Sequence, residues 1–421
     1  MRRSRSSKQN GAAPGLPTWK LRDMASNEKR VLVAVSRDGA GIARLLSVLH
    51  NANCRITVVA PPGLELLSSR FCHRHAVTWN GAKGVVGALT NGEFDRSDFD
   101  FAIIADSEIL ELLMAPGAPK EAKVWLPTSG PAAAGESFLL ATEFAVSAKR
   151  LGLPVPEFRL ACGPYQVLKA GQKLGFPLRL RPIRNRSLQS VRIIENAAML
   201  RAASRTIPAA ATAVLQRHVS GIRVRTNALM NNGFPLAWFS WQSRVDSNRG
   251  TSSRFFGTAY DHVDVEPVLH RLGERTGFTG FCGANWILER ETNLLYLLGF
   301  QPFPTEPIDA GRKVGVDFAA ALAQLMSNAS TVQRPGCRQE VINLSIFPEA
   351  AIEAVKKRSG ALLLQSLRDA PFDDLRLLAA QLRRLVCTCL RPDATALNPP
   401  TQACLGIEPS SNLGTQPASL L

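Results

Sequence analysis

The chain has 421 residues, of which 45% are apolar, and a formal net charge of +16. Its length allows two or three domains and its apolar fraction a substantial core, which excludes disorder as a description of the whole chain. The charge can attract nucleic acid, anionic membrane or phosphorylated ligands, but the basic residues are scattered and form no block among aromatics, so a nucleic-acid partner is not expected.

Residues 1–29 carry Arg2, Arg3, Arg5, Lys8, Lys20 and Lys29 without an apolar stretch, and read as a disordered basic N-terminus rather than a signal peptide. Met24 is an alternative translation start. RVLVAVS (30–36) is a β-branched strand, the stretch from Arg37 through Gly39 to Gly41 a turn, and IARLLSVLH a helix. Without the full GxGxxG spacing, the two glycines serve chain reversal rather than dinucleotide binding. CRITVVA (54–60), FDFAIIAD (99–106) and KVWLPT (123–128) are further strands. Strands alternating with helices argue for a parallel α/β sheet covered on both faces. His73 and His75 lie in a loop-like stretch with no carboxylate beside them, and read as surface or packing residues.

A helix over 137–151 stops at Gly152 and gives way to Pro154 and Pro156. Over 158–203 the order is strand, helix, strand, strand, helix: FRLA, YQVLKAGQKLG, PLRLRPI, VRIIE, NAAMLRAAS. AVLQRHV, RVRTNALMN and PLAWFSWQS are strands, with Trp238 and Trp241 in the core although their spacing departs from alternation. A helix over 266–276 precedes two antiparallel strands joined at 290–293. AAIEAVKKRSGALLLQSL and FDDLRLLAAQLRRLVCTCL are two amphipathic helices broken at Pro371. From 392 the composition turns to Pro, Thr, Ser and Asn, a disordered tail. No apolar run approaches the roughly 20 residues that span a bilayer, so no membrane partner is expected. The cysteines lack paired CxxC knuckles. A cytoplasmic chain with reduced thiols is the expectation.

Three ordered stretches carry a family resemblance. KRLGLPVPEFRLACGPYQVLKAGQKLGFPLRLRP (149–182) looks like a passage from a helix through a "GlPvP" link into a small nucleotide-clamping domain. LQRHVSGIRV (215–224) is similar to a hinge strand written "vQefipG", and GFTGFCGANWILERETNLLYLLGFQPFP (277–304) to a closing pair written "G...veF...tG..yllEiNPRp". Together they resemble the ATP-grasp superfamily, in its carboxylate-amine ligase branch, over about 30–325. The resemblance implies an α/β and α+β fold: a pre-ATP-grasp α/β domain (30–135) and an ATP-grasp domain (136–330) whose small clamping subdomain spans about 155–215. A C-terminal helical extension (331–391) and the tail (392–421) follow, and 346–378 resembles the end of a bacterial subgroup. In this family ATP lies between two sheets, lysines and a glycine-rich loop hold its phosphates, and acidic residues with an asparagine bind magnesium. The implied chemistry is phosphoryl transfer to a carboxylate, then attack of an amine on the acyl phosphate.

Carried over residue by residue, the pattern changes. Arg181 stands where the lysine of "vvvKP" is expected, a planar fork in place of a compact ammonium. The second lysine falls near Ser137 and is absent. No glycine lies between Gly175 and Gly221, so backbone amides of the loop IRNRSLQSVR cannot approach phosphate as closely. At the hinge Gln216 is kept and Arg217 replaces an acidic residue, while the backbone at His218 and Val219 corresponds to the groups that hold adenine. Arg223 replaces a ribose-binding glutamate, an acceptor become a donor. At the metal positions stand Asn285, Gly299 and Gln301, and Phe303 replaces the phosphate-contacting arginine. Magnesium takes hard oxygen ligands, usually including a carboxylate; Glu289 and Glu291 lie nearby in sequence but at the hairpin end, facing solvent.

Arg179, Arg181, Arg184, Arg186 and Arg192 form the densest basic patch, either a phosphate-type anion site or a strand with charges turned to solvent. His262, near Asp261, Asp264 and Glu266, reads as a solvated turn rather than a metal cluster. The expectation is a pseudoenzyme-like protein that binds ATP or a small anionic ligand, with weakened phosphate and magnesium sites. The alternatives are an active ATP-dependent ligase joining a carboxylate to an amine, and a polyanion binder with steep salt dependence.

Overall fold

The computed structural model describes residues 28–127, 144–184, 187–188, 191–245, 252–327 and 342–390. Residues 1–27 of the expected disordered N-terminus, the expected disordered tail, the helix start near Ser137, and Arg186 lie outside them, whereas Lys29, placed in that N-terminus, begins the first strand. No helix among the described residues is long and apolar enough to cross a membrane.

The N-terminal part alternates strand and helix: β1 (Lys29–Ala34), α1 (Ala40–Asn51), β2 (Cys54–Ala60), β3 (Arg74–Val77), α2 (Gly81–Thr90), β4 (Phe101–Ile104) and α3 (Ser107–Leu113). Its strands form a parallel sheet in the order β3-β2-β1-β4. Both faces of β1 are buried, as an all-parallel sheet requires: Val31 and Val33 join one apolar cluster, Leu32 and Ala34 another. Asp106 ties the ends of β1 and β4 together. One of its oxygens accepts the Ser36 N–H and hydroxyl at 2.7 and 2.9 Å, and the other caps α3 through the amides of Glu108 and Ile109.

Two expectations fail here. His75 lies on β3, not in a loop. The expected strand at 123–128 is instead a 3-10 turn over Lys120–Trp125. Ala122 and Trp125 are buried at a three-residue spacing while Val124 is exposed, and the Trp125 indole donates to the Leu89 carbonyl at 2.9 Å.

α4 (Phe144–Arg150) leads to a small antiparallel sheet built from β5 (Phe158–Cys162), α5 (Gly163–Leu174), β6 (Leu178–Arg184), β7 (Ser187–Leu188), β8 (Arg192–Ile194), α6 (Ala197–Arg205) and β9 (Thr212–Arg217). Its order is β5-β9-β6-β7, with β8 also on β6. Helices α5 and α6 cover one face. Leu178 and Leu180 of β6 turn into that core with Val167 and Leu200, so period-two alternation sends Arg179 and Arg181 to the opposite face.

The large antiparallel sheet uses β10 (Gly221–Asn231), β11 (Phe234–Val245), β12 (Ser252–Tyr260), α7 (Val265–Thr276), β13 (Gly280–Glu289) and β14 (Leu295–Gln301). After α8 (Phe318–Ser327), a short strand β15 (Asn343–Ser345) completes the order β14-β13-β10-β11-β12-β15. β12 and β15 were not foreseen. One face packs on α7, the other on α1 and α8, which accounts for the two tryptophans: three residues apart, Trp238 enters the first core and Trp241 the second.

α9 (Glu349–Lys356), α10 (Gly360–Arg368) and α11 (Leu375–Leu390) close the described chain. The single helix expected over 350–367 is split, because Arg358 takes φ +51° and Ser359 caps α10 through the Leu362 amide. Arg384 of α11 pairs with Glu65 and Glu349, and Asp374 accepts from the Ser69 hydroxyl, fixing these helices to the N-terminal part.

Of the Gly39 and Gly41 pair, Gly41 has a packing role. A Cβ on Gly41 would lie 2.9 Å from the Glu306 Cα, backbone that cannot simply swing away. Gly41→Ala is therefore expected to cost about 1–3 kcal/mol, seen as a lower midpoint in chemical denaturation with an unchanged slope.

Candidate functional site

The outward faces of β6 and of the large sheet meet across a cleft. Arg179 and Arg181 come from β6, Arg223 and Arg225 from β10, and Asn285, Gly299 and Gln301 from β13 and β14. With Phe303 they line one cavity, which Ser107 and Glu111 of α3 border from the N-terminal sheet. Its volume is about 60 Å³. Pockets that enclose a drug-sized ligand run roughly 300–1,000 Å³, so the cavity is small beside them.

Strand register sets the chemistry. Trp241, Arg225, Asn285 and Gly299 stand in one row across β11, β10, β13 and β14. The Arg225 guanidinium lies over the Trp241 ring, 5.0 Å from its centroid. The next row is Phe239, Asn227, Gly283 and Gln301. The two glycines differ. A Cβ on Gly283 would sit 2.5 Å from Thr305, so close approach demands glycine there. A Cβ on Gly299 would meet only the Asn285 amide nitrogen at 3.9 Å, an ordinary contact.

At these positions Asn285 and Gln301 supply amide oxygens and Gly299 supplies nothing. Glu111 is the only carboxylate lining the cavity among the described residues; burial, followed by neighbouring Glu108, raises its pKa above the usual carboxylate value. Among the described residues no three His, Cys, Asp or Glu side chains gather in a metal-holding group. This donor set does not fit magnesium, which takes oxygen ligands in near-octahedral array and usually at least one carboxylate. Charge of the other sign dominates. Burial, then Arg181 and Arg223, push the Arg179 guanidinium down to about 9, the response of a cation confined with like charges.

The hinge residues lie outside the cavity lining. Gln216 is buried opposite Arg179 on the paired strand. Arg217 turns to the large sheet, where it pairs with Glu289 at 2.9 Å and lies over the Tyr296 ring. Glu289, expected to face solvent, is thus a tether between the sheets. The His218 amide donates to the Pro177 carbonyl at 3.2 Å. Its Nδ1 is buried without a partner among the described residues, and burial, then Arg179 and Arg223, lower its pKa. Val219 is buried.

Six of the sequence-derived site residues therefore converge on the cavity: Arg181, Arg223, Asn285, Gly299, Gln301 and Phe303. Of the basic patch, Arg179 and Arg181 reach it, whereas Arg192 is exposed on β8. Arg225, Ser107 and Glu111 were missed. The i, i+2 spacing of Arg223 and Arg225 signals a shared face; nothing local marks the two α3 residues. His262 Nδ1 accepts the Asp264 amide at 3.2 Å within its own turn.

No family model and no curated protein matches the sequence. Solved structures do. An N5-carboxyaminoimidazole ribonucleotide synthetase in its ADP complex is 14% identical, with 78% of this chain and 84% of that one covered at a TM-score of 0.55. The carboxyaminoimidazole ribonucleotide synthase from Aspergillus clavatus complexed with ATP is 13% identical, covering 74% and 80% at 0.55. An L-amino acid ligase from Bacillus licheniformis is 12% identical, covering 73% and 77% at 0.50. At such identities the likeness speaks for the fold alone: a parallel α/β sheet followed by two antiparallel sheets, the arrangement of the ATP-grasp fold.

Proposed function

We propose that this chain is a cytoplasmic binding or regulatory protein on an ATP-grasp scaffold. It takes a nucleotide or a small anionic ligand in the arginine-lined cleft and lacks efficient magnesium-dependent ligase turnover. The observation that carries this reading is the cross-strand pair Asn285 and Gly299. Where the two strands pair in the cleft lining, neither position offers a carboxylate, while Arg179, Arg181, Arg223 and Arg225 line the same cavity. Phosphoryl transfer to a carboxylate requires negative charge to be neutralised in place, normally by metal ions held on such carboxylates. Guanidinium groups bind phosphate or carboxylate oxygens bidentately without a metal. Neighbouring structures hold ADP or ATP, but a shared fold does not transfer an activity.

Isothermal titration with ATP and with sulfate, each with and without magnesium, tests the proposal. Binding that magnesium does not strengthen is expected. Magnesium-dependent ATP binding, together with ADP release against a panel of amino acids and small carboxylates, would sink it and establish a working ligase.

A further inference from the structure

Helix α11 has two apolar faces. One serves the fold: Leu377, Leu378 and Leu385 pack inward, and Arg384 reaches Glu65 and Glu349. The other is open. Phe372, Leu375, Leu382, Val386 and Leu390 are 63%, 68%, 38%, 52% and 76% exposed, and exposed Ala379 stands between them. From Phe372 through Leu375, Ala379 and Leu382 to Val386 the spacing alternates between three and four residues. From Leu375 to Val386 these are successive d and a positions of the helix, a stripe about 17 Å long at 1.5 Å per residue, which Phe372 extends from the turn before it.

Charge decides what fits it. The e positions along its free edge are Arg376, Arg383 and, at the helix end, Leu390; both arginines are exposed and without an ion pair among the described residues. The g positions, Leu378 and Leu385, are packed into the fold. An antiparallel second copy would set e against e, arginine facing arginine, and a parallel copy would need the g edge that the fold already uses. We propose that this face docks an amphipathic helix of a different protein, apolar at heptad spacing and acidic along the edge that meets Arg376 and Arg383.

The test uses the full chain and two synthetic peptides of about three heptads with leucine at a and d. One carries glutamate at e and g, the other lysine. Fluorescence anisotropy is expected to show the glutamate peptide binding at least about tenfold more tightly. Arg376→Glu with Arg383→Glu should reverse that order, and Leu382→Asp should weaken binding with an unchanged thermal midpoint. Equal affinity for both peptides, or binding of neither, overturns the proposal. So does a concentration-dependent dimer in light scattering that Leu382→Asp abolishes, which assigns the face to a second copy. Co-sedimentation with phosphatidylserine vesicles that is lost in Leu382→Asp assigns it to a membrane and equally overturns it.

Discussion

Replacing Arg44 by methionine is expected to lower the stability of the folded chain by about 2–3 kcal/mol. Arg44 lies on α1, its side chain only 14% exposed, and binds Asp309 and Asp373 at 2.8 Å each. The Ser47 hydroxyl also donates to Asp373. One guanidinium thus joins the N-terminal sheet, the segment after β14 and the start of the C-terminal helices. Methionine keeps much of the apolar stem but removes the cation that Asp309 and Asp373 share, leaving Lys313 near Asp309 as a partial counter-charge, and that loss rather than lost packing sets the cost. Because Asp373 is 42% exposed, water screens part of it, which places the effect below that of a fully buried pair. Chemical denaturation of Arg44→Met, alone and combined with Asp309→Asn and Asp373→Asn, measures it. The asparagine changes should recover part of the loss, since the unpaired charges go with them.

The pH dependence has a definite sign. Burial raises the Asp373 carboxyl, but the Ser47 hydrogen bond and Arg44 more than offset it and hold the group below its ordinary value. A carboxyl depressed in the folded state contributes stability above its unfolded pKa, and that contribution is lost as pH falls through the folded value. The gap between parent and Arg44→Met should therefore shrink below about pH 4. A gap that stays constant down to acid unfolding would show that Arg44 acts through packing alone.

Which elements were legible in the sequence follows from what fixes them. β1 and β2 are short apolar runs buried on both faces, so composition alone reveals them. β12 escaped because its pattern is interrupted at Gly257, where a Cβ would clash with the Gln242 carbonyl oxygen and lie 2.5 Å from the Trp241 ring; the glycine answers to the neighbouring strand. β15 is three residues long and has no period to detect. In the cleft, the absence of carboxylates at Asn285 and Gly299 is legible in the sequence itself. That the two face each other, in line with Arg225 and Trp241, depends on register between strands tens of residues apart. Glu111 and Ser107 come from helix α3 of the N-terminal part and belong to the site only through tertiary packing.

That register makes the cleft testable by reconstruction. In Asn285→Asp with Gly299→Glu, two carboxylates would stand directly opposite on β13 and β14, with Cβ atoms about 5 Å apart as in any cross-strand pair. The glutamate has room, since a Cβ at position 299 makes only the 3.9 Å contact with Asn285. Like charges at that separation repel, and a divalent cation relieves the repulsion by binding both. Magnesium is therefore expected to strengthen ATP binding by at least about tenfold in the double variant and to leave the parent unchanged. Isothermal titration reads both, and each single variant should gain much less because one carboxylate leaves the ion under-ligated. The opposing outcome is also informative. If magnesium changes nothing in the double variant, Arg223 and Arg225 on the adjacent strand would be neutralising the new carboxylates. The arginines rather than the missing acids would then keep the cleft metal-independent, and Arg225→Ala in the double variant should release the effect.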